Sequence, residues 1–191
     1  MPRPEVEHRI VRYPGGLTVQ FRWSGSGRAD EVFALTGVGG PLVDHGPLVS
    51  PTPDRLCRAE MRVESPGGTW TARFASPIFD EPKAYPWDTA GLLVVGYGLR
   101  AYALEARTGD LQWVHAGGTP LVEVLGSARL PHVIVQSEID TVAIDADGER
   151  AWRLAHRDVV VAAELVAGRL VLTSAAGTVA ALDPLTGRTL E

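Results

Sequence analysis

Tyr102-Ala103-Leu104-Glu105-Ala106-Arg107-Thr108-Gly109-Asp110-Leu111-Gln112-Trp113 is the stretch on which the reading of this chain turns. It returns twice, as Val142-Ala143-Ile144-Asp145-Ala146-Asp147-Gly148-Glu149-Arg150-Ala151-Trp152 and as Val179-Ala180-Ala181-Leu182-Asp183-Pro184-Leu185-Thr186-Gly187-Arg188-Thr189-Leu190-Glu191. Gly109, Gly148 and Gly187 stand 39 residues apart in succession, and so do Trp113 and Trp152. A fixed period of about 40 residues marks a tandem of structural repeats. Each copy carries the same local instructions. A short apolar run forms a buried strand, and an acidic residue (Glu105, Asp145 or Asp183) opens the turn, where its carboxylate accepts backbone N–H bonds. Glycine then takes the positive φ that closes a tight hairpin. A second strand follows and ends on a large aromatic in two copies.

Working upstream, each copy is preceded by a further apolar strand: Leu92–Val95, Val133–Val135 and Leu170–Thr173. Ahead of these lie strand candidates at Pro77–Phe79, Leu121–Leu125 and Val159–Leu165. Ala162, Ala163 and Glu164 favour helix by propensity, but the repeat context argues for strand. The result is about four strands per unit, the anatomy of a propeller blade. The pattern A-x-D-x-x-T-G-x-x-x-W resembles the signature of quinoprotein (PQQ-type) β-propeller repeats. Ala103 to Trp113 matches it with Glu105 in place of Asp, Ala181 to Gly187 matches as far as it runs, and Ala143 to Trp152 lacks one turn residue. Ser76-Pro77-Ile78-Phe79 looks like the innermost strand that often begins such a blade. The resemblance covers residues 76–191.

Residues 1–75 show two hairpins. Arg9–Tyr13 and Leu17–Trp23 flank Pro14-Gly15-Gly16; Arg58–Glu64 and Thr69–Phe74 flank Ser65-Pro66-Gly67-Gly68. Met61 and Val63 alternate with Arg62 and Glu64, the period of a half-buried strand. The second hairpin, with Gly68 and Trp70, reads as a degenerate blade. Gly37–Asp54 reads as a long loop, and Asp80–Ala90, with Pro82, Tyr85, Pro86 and Trp87, as a loop that interrupts the repeat register. The fold class implied is all-β, a single domain forming a small β-propeller of four or five blades. An open three-blade arc with an N-terminal β subdomain is the alternative. Arg9–Tyr13 is expected to pair with the last blade and so cover a sheet edge.

Composition bounds the function. The net charge of −5 supplies no basic field for nucleic acid or anionic lipid. The single cysteine, Cys57, allows neither an intrachain disulfide nor a Cys/His metal cluster. Met1 to His8 lacks an apolar core of the secretory kind, and no apolar run reaches membrane-spanning length. The expectation is a cytoplasmic protein whose partner is another protein.

No catalytic set stands out. There is no H-E-x-x-H and no G-x-S-x-G elbow, and no position matches a quinone site, so no cofactor and no metal are expected. Gly37-Val38-Gly39-Gly40 lacks the strand–helix context of a nucleotide fingerprint. His115 and His156 follow the repeat tryptophans and read as strand-end surface residues. Asp80, Glu81, Tyr85 and Trp87 are the protein-interaction candidates: two acids and two aromatics on a loop that breaks the repeat, with packing of Trp87 over the core as the competing reading. The function read from the sequence is a non-enzymatic interaction module or adaptor. The alternative is a ligand-binding or enzymatic domain with an axial pocket, in which Asp44 and His45 would converge with other polar groups. A shortened relative of the propeller-type outer-membrane assembly lipoproteins is a third reading, against which the missing leader and lipobox weigh.

Overall fold

The computed structural model describes residues 5–33, 42–45 and 55–191. Its regular structure is almost entirely strand: β1 (Glu7–Tyr13), β2 (Leu17–Ser24), β3 (Leu42–Asp44), β4 (Cys57–Ser65), β5 (Gly68–Ser76), β6 (Lys83–Trp87), β7 (Leu92–Tyr97), β8 (Arg100–Glu105), β9 (Leu111–Ala116), β10 (Leu121–Leu125), β11 (His132–Ser137), β12 (Asp140–Asp145), β13 (Arg150–Ala155), β14 (Val160–Val166), β15 (Arg169–Ser174) and β16 (Val179–Leu182). None of the described helices is long and apolar enough to cross a membrane. The chain forms two compact units: Met1–Pro82 with Leu104–Asp110, and Lys83–Ala103 with Leu111–Glu191.

The first unit is built on a five-stranded sheet in the order β1-β2-β4-β5-β3, antiparallel except where β3 runs parallel to β5. Its register explains its two faces. Val19, Phe21 and Trp23 of β2 pair with Val63, Met61 and Ala59 of β4, which pair in turn with Trp70, Ala72 and Phe74 of β5. Because strand side chains alternate, all nine fall on one face, and all are buried. The opposite face carries Gln20, Arg22, Arg62 and Glu64. On it Glu60 and Arg73, direct cross-strand partners, form an ion pair at 3.0 Å. The one-turn helix Ala29–Val32 lies there too, held by Arg22, which donates to the carbonyls of Val32 (3.2 Å) and Glu31 (2.6 Å).

The repeats lie in the second unit, except that the turn of the first copy, Leu104–Asp110, belongs to the first unit. Two four-stranded antiparallel sheets, β6-β7-β8-β9 and β10-β11-β12-β13, are followed by a three-stranded one, β14-β15-β16. A fourth strand starts beside β16, where Leu182 bridges Thr189 and the Leu190 N–H donates to Ala181 O at 2.8 Å. Trp87, Leu92, Val94, Ala101 and Ala103 pack with Leu121, Val124, Val133, Val135, Val142 and Ile144 into one core. Leu130 and Ile134 pack with Val160, Ala163, Leu170, Leu172 and Leu182 into another. Burying this much aliphatic surface, at about 25 cal/mol per Å², is the main term holding the repeats together.

The turns form as their residues dictate. The Asp145 carboxylate accepts the N–H groups of Asp147 (3.0 Å) and Glu149 (2.9 Å), and Asp183 accepts Leu185 N–H (2.9 Å) and the Thr186 hydroxyl (2.9 Å). Glu105 differs. Its longer arm takes the Thr108 hydroxyl and the Arg107 guanidinium instead. Gly109, Gly148 and Gly187 all have positive φ.

Four expectations need correction. Pro77–Phe79 is not a strand; the first strand of that blade is β6, inside the segment read as an interrupting loop. Pro86 fits there because β6 is an edge strand, where a missing N–H costs no ladder bond. Arg9–Tyr13 pairs with β2, in full register from Glu7↔Trp23 to Tyr13↔Leu17, and not with the last blade. The segment read as a loop from Gly37 contains β3; the glycine run at 37–40 and residues 46–54 lie outside the described residues. His115 and His156 stand at strand ends as expected but are half-buried, each lining a surface hollow.

Candidate functional site

The second unit concentrates its buried polar groups along β11, β12 and β13. Gln136, Ser137 and Thr141 are all buried. The Gln136 side-chain amide donates to the carbonyls of Ser137 (2.7 Å) and Asp140 (3.2 Å), which fixes which end of the amide is oxygen. The Thr141 hydroxyl then donates to Gln136 Oε1 at 2.5 Å. Its one proton is thereby spent, so the 2.6 Å contact between Thr141 Oγ1 and His156 Nε2 requires the imidazole to donate. The chain Gln136–Thr141–His156 therefore fixes the Nε2–H tautomer and leaves Nδ1 as the acceptor of the neutral ring. Burial holds His156 below the ordinary histidine pKa, against an opposing pull from Asp140.

Two concavities flank this chain. The larger, about 400 Å³, is lined by His115, Ser137, Asp140, Arg150 and Arg153 with Gly117 and Gly118 at its lip. Arg153 and Asp140 form a double hydrogen bond, both distances 3.0 Å. His115 is lowered by burial first, with Asp140 opposing and Arg153 and Arg150 adding to the effect. The smaller, about 290 Å³, has an apolar floor of Leu154, Val160, Leu172 and Leu182 and a polar rim of His156, Arg157, Asp158, Ser174 and Thr178. Asp158 is held below the usual carboxylate range by the Ser174 hydroxyl, then by the N–H groups of Val159 and Ala176. Thr141 is 0% exposed, so its hydroxyl cannot reach a bound molecule. What both hollows offer is concave surface with a charged rim: binding geometry.

The candidates named from sequence are dispersed. Trp87 is 3% exposed and belongs to the core, on a strand and not on a loop. Tyr85, on the same strand, packs partly buried against that core, over Gly126, where a β-carbon would fall 2.0 Å from Cε1. Asp80 and Glu81 belong to the first unit; Glu81 is paired with Arg9, which also donates to Pro82 O at 2.6 Å. His45 stacks on Phe74 at 5.5 Å, and burial lowers it despite Asp44. Among the described residues no group of three or more His, Cys, Asp or Glu side chains could hold a metal ion. Gln136, Thr141, Asp140 and Arg153 escaped sequence reasoning because nothing but strand alternation marks them.

Residues 101–190 match the family described as outer membrane protein assembly factor BamB. These are PQQ-type propeller repeats. No curated protein matches the chain. Among solved structures, BamB from Moraxella catarrhalis is similar at 23% identity and a TM-score of 0.51, over 76% of this chain and 46% of that one. BBS1N in complex with ARL6DN is similar at 15% identity and a TM-score of 0.52, over 100% and 57%. The computationally designed Ika8 protein is similar at 12% and 0.53, over 95% and 59%. The PQQ-type repeats thus sit in an all-β fold of propeller kind, and this chain spans about half the length of the propeller structures it resembles.

Proposed function

We propose that this protein is a non-enzymatic protein-interaction module, an adaptor, that works in the cytoplasm. The observation that carries the reading is the hollow edged by His115, Arg150 and Arg153. It is concave, its lining sets Arg150 beside the hydrogen-bonded Arg153–Asp140 pair, and Ser137 within it is already locked in hydrogen bonds. A rigid scaffold presenting such a recess suits a partner segment bearing a carboxylate, which an arginine can bind through two parallel N–H donors. The fold supports a binding role in general: the BBS1 structure it resembles is a complex with ARL6. The match to a family described as an outer membrane protein assembly factor supports a second reading, in which the partner belongs to an assembly machinery of that kind.

Affinity capture from a native lysate, with the wild-type chain and with Arg150→Glu, tests the proposal. A stoichiometric protein retained by the wild type and lost with Arg150→Glu is expected. Recovery of no such protein, or equal recovery with both baits, overturns it. Mass spectrometry of the retained protein separates the two readings.

A further inference from the structure

Arg150 and Arg153 lie three residues apart, a spacing that puts side chains of a regular strand on opposite faces. In β13 it does not. Arg153 is the cross-strand partner of Val142 and Arg150 of Ile144, and between Ala143 and Ile144 the register shifts at a β-bulge, where β13 carries one residue more. Val142 and Ile144 share the face that packs with Val94, Ala103 and Trp113 of the preceding repeat. Both guanidiniums are thereby carried on that face, and both line the hollow of about 400 Å³. The facing wall is β9. Trp113 anchors it, its indole N–H donating at 3.2 Å to Ala146 O in the turn before β13. His115, two residues on, falls on the same side of β9 and lines the hollow. Every lining residue lies between His115 and Arg153, within the second unit.

The charged groups of the hollow are not equally engaged. Asp140 is taken by Arg153 through two hydrogen bonds, both 3.0 Å. Among the described residues the Arg150 guanidinium makes no hydrogen bond or ion pair, and neither ring nitrogen of His115 is hydrogen-bonded. Burial holds His115 below the ordinary histidine value; Asp140 opposes this, and Arg153 and Arg150 add to it. Among the described residues these three are the charged groups that act on the ring.

We propose that an acidic peptide segment enters this hollow together with one proton, which His115 takes up, so that its binding tightens as pH falls. The inference rests on the reading of the hollow as a carboxylate site and deepens it. With His115 neutral, the lining sets two guanidiniums against one carboxylate, an excess that a single carboxylate of the segment balances. A second carboxylate needs a further cation, and the imidazole is the group able to become one. The incoming charges offset the repulsion from Arg150 and Arg153 and favour the imidazolium. A group that holds its proton more tightly in the complex takes one up on binding. Affinity therefore rises as pH falls through the bound-state value and levels off below the free-state one.

The test uses the acetylated and amidated peptide Gly-Glu-Gly-Glu-Gly, whose glutamates stay ionised down to about pH 5.5, beside its uncharged counterpart Gly-Gln-Gly-Gln-Gly. Calorimetry between about pH 8 and about pH 5.5, in two buffers of different ionisation heat, reads affinity and protons taken up. For the wild-type chain, uptake approaching one proton and an affinity about fivefold or more higher at the lower pH are expected. The His115 ring signals in NMR should titrate at higher pH with the acidic peptide than without it. His115→Gln should show no proton uptake in the binding that remains, and Arg150→Gln should weaken binding at every pH. An unchanged denaturation midpoint at about pH 8 shows that each variant is folded. Wild-type affinity that is flat with pH, His115 signals unmoved by the peptide, or uptake that persists in His115→Gln overturns the proton coupling; Arg150-dependent binding in the same data would leave the carboxylate reading standing. No preference for the acidic peptide over its glutamine counterpart overturns both.

Discussion

The indole of Trp152 lies against the α-carbon of Gly187, so close that a β-carbon there would stand 2.5 Å from Cε3, while its Nε1–H donates to Pro184 O at 3.2 Å. Trp113 does the same to Gly148 and Ala146 O, and Trp70 to Gly109 and Ala106 O. Each tryptophan is seated under a later turn, and the glycine is required twice over, for its positive φ and for the room it leaves the ring.

Gly187→Ala should therefore destabilise the protein by about 2–4 kcal/mol, adding overpacking to backbone strain. Gly177 provides the control. It has a φ of +82° with nothing within 4 Å of an added β-carbon, so Gly177→Ala should cost only about 1 kcal/mol. Equal losses in urea denaturation would show that the ring contact does not matter.

Replacing the tryptophans removes the donor and part of the ring. Trp70→Phe should cost about 2–4 kcal/mol, because Trp70 is wholly buried and its carbonyl partner is left unpaired. Trp113 sits nearer the surface, and Trp113→Phe should cost less. A reversed order in matched denaturation curves would refute this ranking.

The Glu60–Arg73 pair sits across neighbouring strands with the Glu60 side chain fully buried. Arg73→Met should destabilise by about 2–4 kcal/mol, since it strands a carboxylate in the sheet, and the double variant Glu60→Met/Arg73→Met should recover much of that loss. A double variant no better than the single one would count against this account.

His45, His115 and His156 are all held below the histidine value, chiefly by burial. Their native forms bind fewer protons than the unfolded chain below about pH 6.5. Their contribution is thus complete above that pH and is lost as pH falls toward the lowered native values. The denaturation midpoint should decline on acidification from neutral, and His156→Gln, which keeps an N–H for Thr141, should shallow the decline. Glu105 and Asp158, lowered by their hydrogen bonds, act in the same direction in a lower window. A midpoint that is flat from neutral to weakly acid pH contradicts this.

The hydrogen-bond chain also predicts a tautomer. Long-range nitrogen–carbon NMR correlations on the imidazole should show the proton of neutral His156 on Nε2. Protonation at Nδ1 would mean that the Gln136–Thr141–His156 chain is wired differently.

The repeats and their turns were legible from the amino-acid order alone. A turn is decided within about five residues: an Asp145 or Asp183 carboxylate, a glycine with positive φ, and the apolar strand on either side. Those interactions are short in sequence, so their signal survives without the fold. Alternation likewise exposed the two N-terminal hairpins, because a strand's faces are set by its own period. Only the tertiary structure decided the rest. Lys83–Trp87 reads as a loop because of its proline, and becomes a strand because an edge position spares Pro86 a missing bond. Trp87 reads as an anchor and ends in the core because β7 and β10 supply its apolar surroundings. Trp70 acquires its role from Ala106, 36 residues away. The His156 chain depends on three strands meeting. Contacts that cross so much sequence leave no local pattern, and the hollow beside them exists only once the strands have come together.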